Sequence, residues 1–167
     1  MKTIIISLAL LCLGTSGLVV AEPYADKVKI TASTSEVGAM FIQGSKVPDR
    51  SAVNIPPYPG ALILQTSEAG QMKMNDKDNL PYIKMLTADE IDKVVAWYKE
   101  KLPSYYYQKQ GFAGMFIHIF WKQKGDYQMF DVEARMLNEN VGISDGAIHK
   151  DDYPQAKTMI EITYTGK

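Results

Sequence analysis

Five apolar side chains share one stripe of a single helical segment, and that stripe dictates the class of fold. Ile91, Val94, Val95, Tyr98 and Leu102 stand at i, i+3, i+4, i+7 and i+11, which is one face of an α-helix. Asp89, Asp92, Lys93, Lys99 and Glu100 fall mostly on the other side. Thr87 reads as the N-cap, with Glu90 three residues later at the capping-box spacing. Acids lead and lysines trail, as the helix dipole favours, and Pro103 stops the helix. The pattern predicts a helix from Ala88 to about Leu102. Its stripe must be buried against something, and the neighbouring segments are strand-like.

Ala61 to Thr66 and Tyr82 to Leu86 read as strands of a hairpin, extended through Met72 and Met74, with a turn composition at Asn75 to Asn79. Beyond the helix, Tyr105 to Gln108, Met115 to Lys122 and Tyr127 to Met136 read as three more strands. In the last, Phe130, Val132, Ala134 and Met136 alternate with Asp131, Glu133 and Arg135, the pattern of a strand with one buried and one wet face. Asn138 to Pro154, rich in Gly, Asn and Asp, reads as a long loop, and Thr158 to Tyr164 as a final strand. The expected fold is α+β: a curved, mostly antiparallel sheet with one amphipathic helix packed on one face.

The N-terminus has the parts of a cleavable export signal in order. Lys2 supplies the charge, Ile4 to Leu13 is apolar apart from Ser7, and Gly14 to Gly17 breaks the run. Val19 and Ala21 then stand at the small-residue positions before a cut. Residues 1–21 are therefore expected to be removed, which places the mature protein in the periplasm or outside the cell. Residues 22–59, punctuated by Pro48, Pro56, Pro57 and Pro59, read as a partly ordered arm, and 60–167 as the α+β domain. Cys12, the only cysteine, would leave with the signal. A chain without thiols has no disulfide, thiolate metal site or cysteine nucleophile.

Removing residues 1–21 takes one lysine and no acid, leaving 17 basic against 19 acidic residues. No basic surplus is available for nucleic acid, and no later apolar run reaches the length of a membrane helix.

Pro57-Tyr58-Pro59-Gly60-Ala61 leads into a strand, a Thr-preceded helix with Val94, Trp97, Tyr98 and Leu102 follows, and a β-rich half comes after. Over roughly residues 57–165 this order resembles small bacterial secreted and periplasmic proteins of uncharacterised function. The resemblance implies a bacterial envelope protein with an α+β fold. It carries no catalytic residue.

No nucleophile elbow, phosphate loop, dinucleotide fingerprint or zinc-protease motif is present. His118, between Ile117 and Ile119, shares a strand face with Phe116 and Phe120, as a base or ligand on an aromatic surface or as a half-buried structural histidine. Tyr105, Tyr106 and Tyr107, with Trp97, Trp121 and Phe112, form an aromatic-rich middle that suits a ligand or partner protein. Met72 and Met74 offer two thioethers on one strand face, a soft pair for Cu(I), and His149 and Asp151 offer an imidazole and a carboxylate. The ordinary alternatives are core packing for the methionines and a solvated loop for His149 and Asp151.

The expected function is that of a non-enzymatic binding or accessory module. It would meet an unknown protein or small ligand in the cell envelope through Tyr105, Tyr107, His118 and Trp121, without a cofactor. Two alternatives stand beside it. One is a small hydrolase or isomerase using His118 or His149 with a carboxylate, and the other is periplasmic copper binding.

Overall fold

The computed structural model describes Tyr24, Lys27–Val28 and residues 47–128 and 131–166. The expected signal peptide and most of the arm before residue 47 lie outside the described residues. The strands are β1 (Lys27–Val28), β2 (Leu62–Ser67), β3 (Lys73–Met74), β4 (Lys77–Asp78), β5 (Tyr82–Thr87), β6 (Tyr106–Phe112), β7 (Met115–Trp121), β8 (Asn140–Asp145) and β9 (Thr158–Thr163). The helices are α1 (Ile91–Lys101) and α2 (Val132–Leu137). Seven strands form one sheet in the order β1-β2-β5-β9-β8-β7-β6, while β3 and β4 form a separate ribbon. Among the described residues only the short β1–β2 contact is parallel. The α+β class and the helix on a mostly antiparallel sheet are as the sequence implies. No helix among the described residues is long and apolar enough to cross a membrane.

Register explains the core. One cross-strand row runs Ile83, Ile162, Val141, Phe120, Tyr107, and the next runs Met85, Ile160, Ile143, His118, Lys109. Side chains on alternate strand positions share a face, so both rows lie under α1. Val94, Val95, Tyr98 and Leu102 are buried against them. Burying each valine contributes about 1.5–3 kcal/mol relative to exposure. The apolar rows fail only at the β6–β7 end, where polar and exposed side chains begin.

The helix starts later than its capping-box spacing implies. Thr87 belongs to β5, opposite Thr158, and its hydroxyl accepts from the Asp89 N–H. Glu90 takes the N-cap position without a side-chain cap bond and pairs instead with Lys157 at 2.6 Å. Sheet pairing of Thr87 outweighs what a cap at that residue would add.

Two further expectations are corrected. Residues 132–137 are a helix, not a strand. Asp131 accepts from the Ala134 N–H as its N-cap, and Glu133, Ala134, Arg135, Met136 and Leu137 are all strong helix formers. The loop reading of Asn138 to Pro154 also fails, because Asn140–Asp145 is β8, an interior strand between β7 and β9. Val141 and Ile143 face the core. Gly142 has no side chain because a Cβ there would meet the Arg135 guanidinium at 2.9 Å. Arg135 crosses at this point to reach Glu161 at 2.6 Å, with Lys84 at 3.6 Å on the same carboxylate.

Described residues ahead of position 60 join the core. Val53, Ile55 and Tyr58 are buried in the core with Tyr24, whose hydroxyl donates to the Ile55 carbonyl at 2.6 Å. The β2–β5 pairing is as expected, but the stretch between them folds on itself. Asn75 and Asp76 both have positive φ, the two-residue turn that joins β3 to β4.

Candidate functional site

The sequence singles out an aromatic surface around Tyr105, Tyr107, His118 and Trp121, and the structure divides that set. Trp121 is buried, stacked on Tyr127 with centroids 4.0 Å apart, and its indole N–H donates to Gln108 at 2.9 Å. It offers no surface. Tyr105 is half-buried and donates its hydroxyl to Glu139. His118 is 5 % exposed. Of the four, only Tyr107 is exposed.

Tyr107 and His118 do form a pair. The phenol oxygen lies 2.8 Å from Nδ1 of the imidazole. Burial pushes the His118 pKa down, Lys109 and Lys99 add to this, and Asp92 opposes it. The ring is therefore neutral near pH 7, and Nδ1 and the phenol oxygen share one hydrogen bond whose direction the tautomer sets. Burial and the Asp92 charge raise the Tyr107 hydroxyl. Tyr107 also rests against Phe120, with centroids 5.1 Å apart, and carries the Lys99 ammonium 4.1 Å above its ring. Such a neutral, mostly buried imidazole fixes the orientation of Tyr107. Among the described residues no carboxylate is hydrogen-bonded to it.

The other histidine has a separate partner. His149 ends a single 3-10 turn, Ala147–His149, and its Nδ1 lies 3.4 Å from Asp152. Asp151 is exposed. Met72 precedes β3 rather than sharing a strand with Met74; its backbone N–H donates to the Asn79 side chain. Among the described residues, no group of three His, Cys, Asp or Glu side chains is placed to hold a metal.

An open groove of about 570 Å³ separates the β3–β4 ribbon from α2 and is lined by Lys77, Asp78, Asp131, Glu133 and Asn138 among others. Two of its acids are already engaged. Asp131 caps α2, and Glu133 accepts from Asn75. The groove is a seam between two elements.

The exposed apolar side chains gather elsewhere. Of six large hydrophobic side chains exposed among the described residues, Tyr106, Tyr107, Met115 and Phe116 lie on the β6–β7 hairpin. Met115 and Phe116 are 58 % and 53 % exposed. Ala113 and Gly114, both at positive φ, make the tight turn that holds them at its tip. Strand β6 ends the sheet order, so among the described residues its outer edge carries no strand. Sequence reasoning placed Tyr106 in the aromatic middle and Phe116 on the face of His118, and missed Met115. Only the tertiary structure shows that these side chains are left exposed.

Glu139 was also missed. This buried carboxylate accepts from both Asn54 and Thr165 as well as Tyr105, and Lys122 lies 3.9 Å away. Burial alone would raise its pKa. The hydrogen bonds from Thr165, Tyr105 and Asn54, with the Lys122 charge, outweigh burial and hold it below the usual value. Its partners are structural anchors from three parts of the chain.

Compared with known proteins, the chain matches no family model, no curated protein and no solved structure.

Proposed function

We propose that this chain is an exported bacterial envelope protein that acts as a non-enzymatic binding module, presenting the β6–β7 hairpin to a partner protein. The supporting observation is the concentration of exposed apolar side chains on that one hairpin, beside an edge of β6 that carries no strand among the described residues. Tyr107 and Phe116 lie on one face of the hairpin and Tyr106 and Met115 on the other, so apolar side chains are offered on both sides of a strand edge, and an open strand edge is a ready site for pairing. Tyr107 is held ready by His118 and Phe120, so little side-chain entropy is lost when a partner meets it. Export rests on the residue 1–21 signal pattern.

Photocrosslinking from defined positions tests the reading. A benzophenone side chain is placed at Tyr106, Met115 or Phe116, or at Ile148, which is exposed in a different part of the fold. In producing cells the three hairpin positions should give one common adduct that Ile148 does not. Equal adducts from Ile148, or none from the hairpin, would remove the proposed surface. The intact mass of protein from the envelope fraction should correspond to a chain beginning at Glu22.

A further inference from the structure

The hairpin reading leaves the chemistry of the partner open, and the β6 edge narrows it. We infer that the occupant is an extended acidic peptide segment, added to β6 as a further antiparallel strand with carboxylates at alternate positions. This inference rests on the binding reading above.

The backbone comes first. The Lys122 N–H donates to the Glu139 carbonyl, so even-numbered residues on the β7 side bond toward β8. Antiparallel alternation then turns Ile117, Ile119 and Trp121 toward β6, where their register partners are Gln110, Gln108 and Tyr106. The intervening Tyr107, Lys109 and Gly111 direct their N–H and C=O groups outward. Three consecutive outward positions are enough for an added strand of about five residues, which spans about 17 Å.

The side chains at those same positions face the α1 side. Tyr107 and Lys109 stand there, and Lys99 of α1 reaches over the Tyr107 ring. The Lys109 ammonium sits 4.8 Å from the Phe116 ring centroid. Both lysines are exposed, and among the described residues neither forms an ion pair. On the same helix, Lys93 is paired with Asp89 and Lys101 with Glu100. Asp92 is the acid that acts on Tyr107 and His118. It lies seven residues before Lys99, about 10 Å along the helix. Lys99 and Lys109 thus outnumber Asp92 on this surface, in a chain whose overall charge is −1.

An incoming strand would place one side chain opposite Lys109 and the next on that face opposite Tyr107, under Lys99. Opposite charges directly across a strand pair attract, and like charges repel. Carboxylates therefore fit both positions. A second copy of this chain fits poorly in the register that uses all three outward positions, because that antiparallel pairing sets Lys109 against Lys109. On the other face, Gln108 and Gln110 would meet neutral polar side chains.

The test uses the purified chain and three dye-labelled peptides, read by fluorescence anisotropy. The first is an alternating Glu-Thr peptide, the second its Lys-Thr counterpart, and the third the Glu-Thr peptide with each Glu amide N-methylated. The Glu-Thr peptide should bind at least about tenfold more tightly than Lys-Thr at low salt and weaken as salt is raised. N-methylation should abolish binding, and K99E combined with K109E should weaken it more than about tenfold. Circular dichroism checks that the double variant stays folded, and the N-methylated peptide needs no variant at all. The inference is overturned if the N-methylated or Lys-Thr peptide binds equally well, if charge reversal changes nothing, or if sedimentation shows a second copy on β6. Crosslinking from Met115 and Phe116 without Glu-Thr binding would discard the acidic strand and keep the binding module. Loss of both would discard both.

Discussion

Glu139 joins three separated parts of the chain. Asn54, Tyr105 and Thr165 lie 85, 34 and 26 residues away in sequence, and all three donate to its carboxylate. The side chain is only 5 % exposed, with Lys122 at 3.9 Å. Replacing it with leucine keeps apolar bulk and removes the acceptor. Tyr105 is half-buried and cannot turn fully to water, so its stranded hydroxyl costs about 1–3 kcal/mol. Asn54 and Thr165 are on exposed residues and recover water, so each loses about 0.5–1 kcal/mol. Relief from burying a charge offsets part of this. E139L should therefore lose about 2–4 kcal/mol, a large share of the 5–15 kcal/mol typical of a domain. E139Q keeps the shape and one acceptor oxygen, and should lose about 1 kcal/mol. Urea unfolding at pH 7 measures both variants. Hydrogen exchange should show the amides around Val53 to Ile55 opening first in E139L. The sign of the pH dependence follows from a depressed folded pKa. The contribution is full above the unfolded carboxylate pKa and is lost as pH falls through the folded one. The gap between wild type and E139Q should therefore narrow below about pH 4. An E139L variant within about 0.5 kcal/mol of wild type would refute the reasoning.

Three further outcomes are expected. Ala113 has φ of 51° in the β6–β7 turn, so A113G should stabilise the protein by about 0.5–1 kcal/mol, read from the urea midpoint, and no gain would contradict the strain. Gly146 approaches the Thr158 backbone so closely that a Cβ would lie 2.8 Å from its carbonyl carbon; G146A should cost about 1–3 kcal/mol in the same assay. The folded pKa of His118 is depressed by burial and by Lys109, so its contribution is complete above the unfolded value of about 6.5 and is lost as pH falls below that. H118Q should flatten this part of the stability profile, and an unchanged slope between wild type and H118Q would show that His118 titrates alike in both states.

The hydrophobic periodicity of residues 91–102 and the runs at 61–66, 82–86, 115–122 and 158–164 were enough to determine the fold class. A stripe repeating every three or four residues has to lie on an apolar sheet, and local spacing is written into the chain. The N-terminal cap of the helix was not legible in this way, because Thr87 is claimed by pairing with Thr158, a partner far along the sequence. Residues 132–137 carry a period-two hydrophobic pattern together with helix-forming residues and an Asp cap; the cap prevailed once the segment lay over the sheet as a separate layer. Strand β8 was hidden because Asn140 and Gly142 are poor strand formers by composition. Only the fold shows that Gly142 leaves room for Arg135 to reach Glu161. For the candidate surface, sequence alone identified the aromatic middle of the chain and could not say which rings are buried. Trp121 and Tyr106 are register partners on neighbouring strands, yet one is covered and the other exposed, because exposure depends on what packs above each strand. That covering is a property of the assembled layers, and no local pattern of residues encodes it.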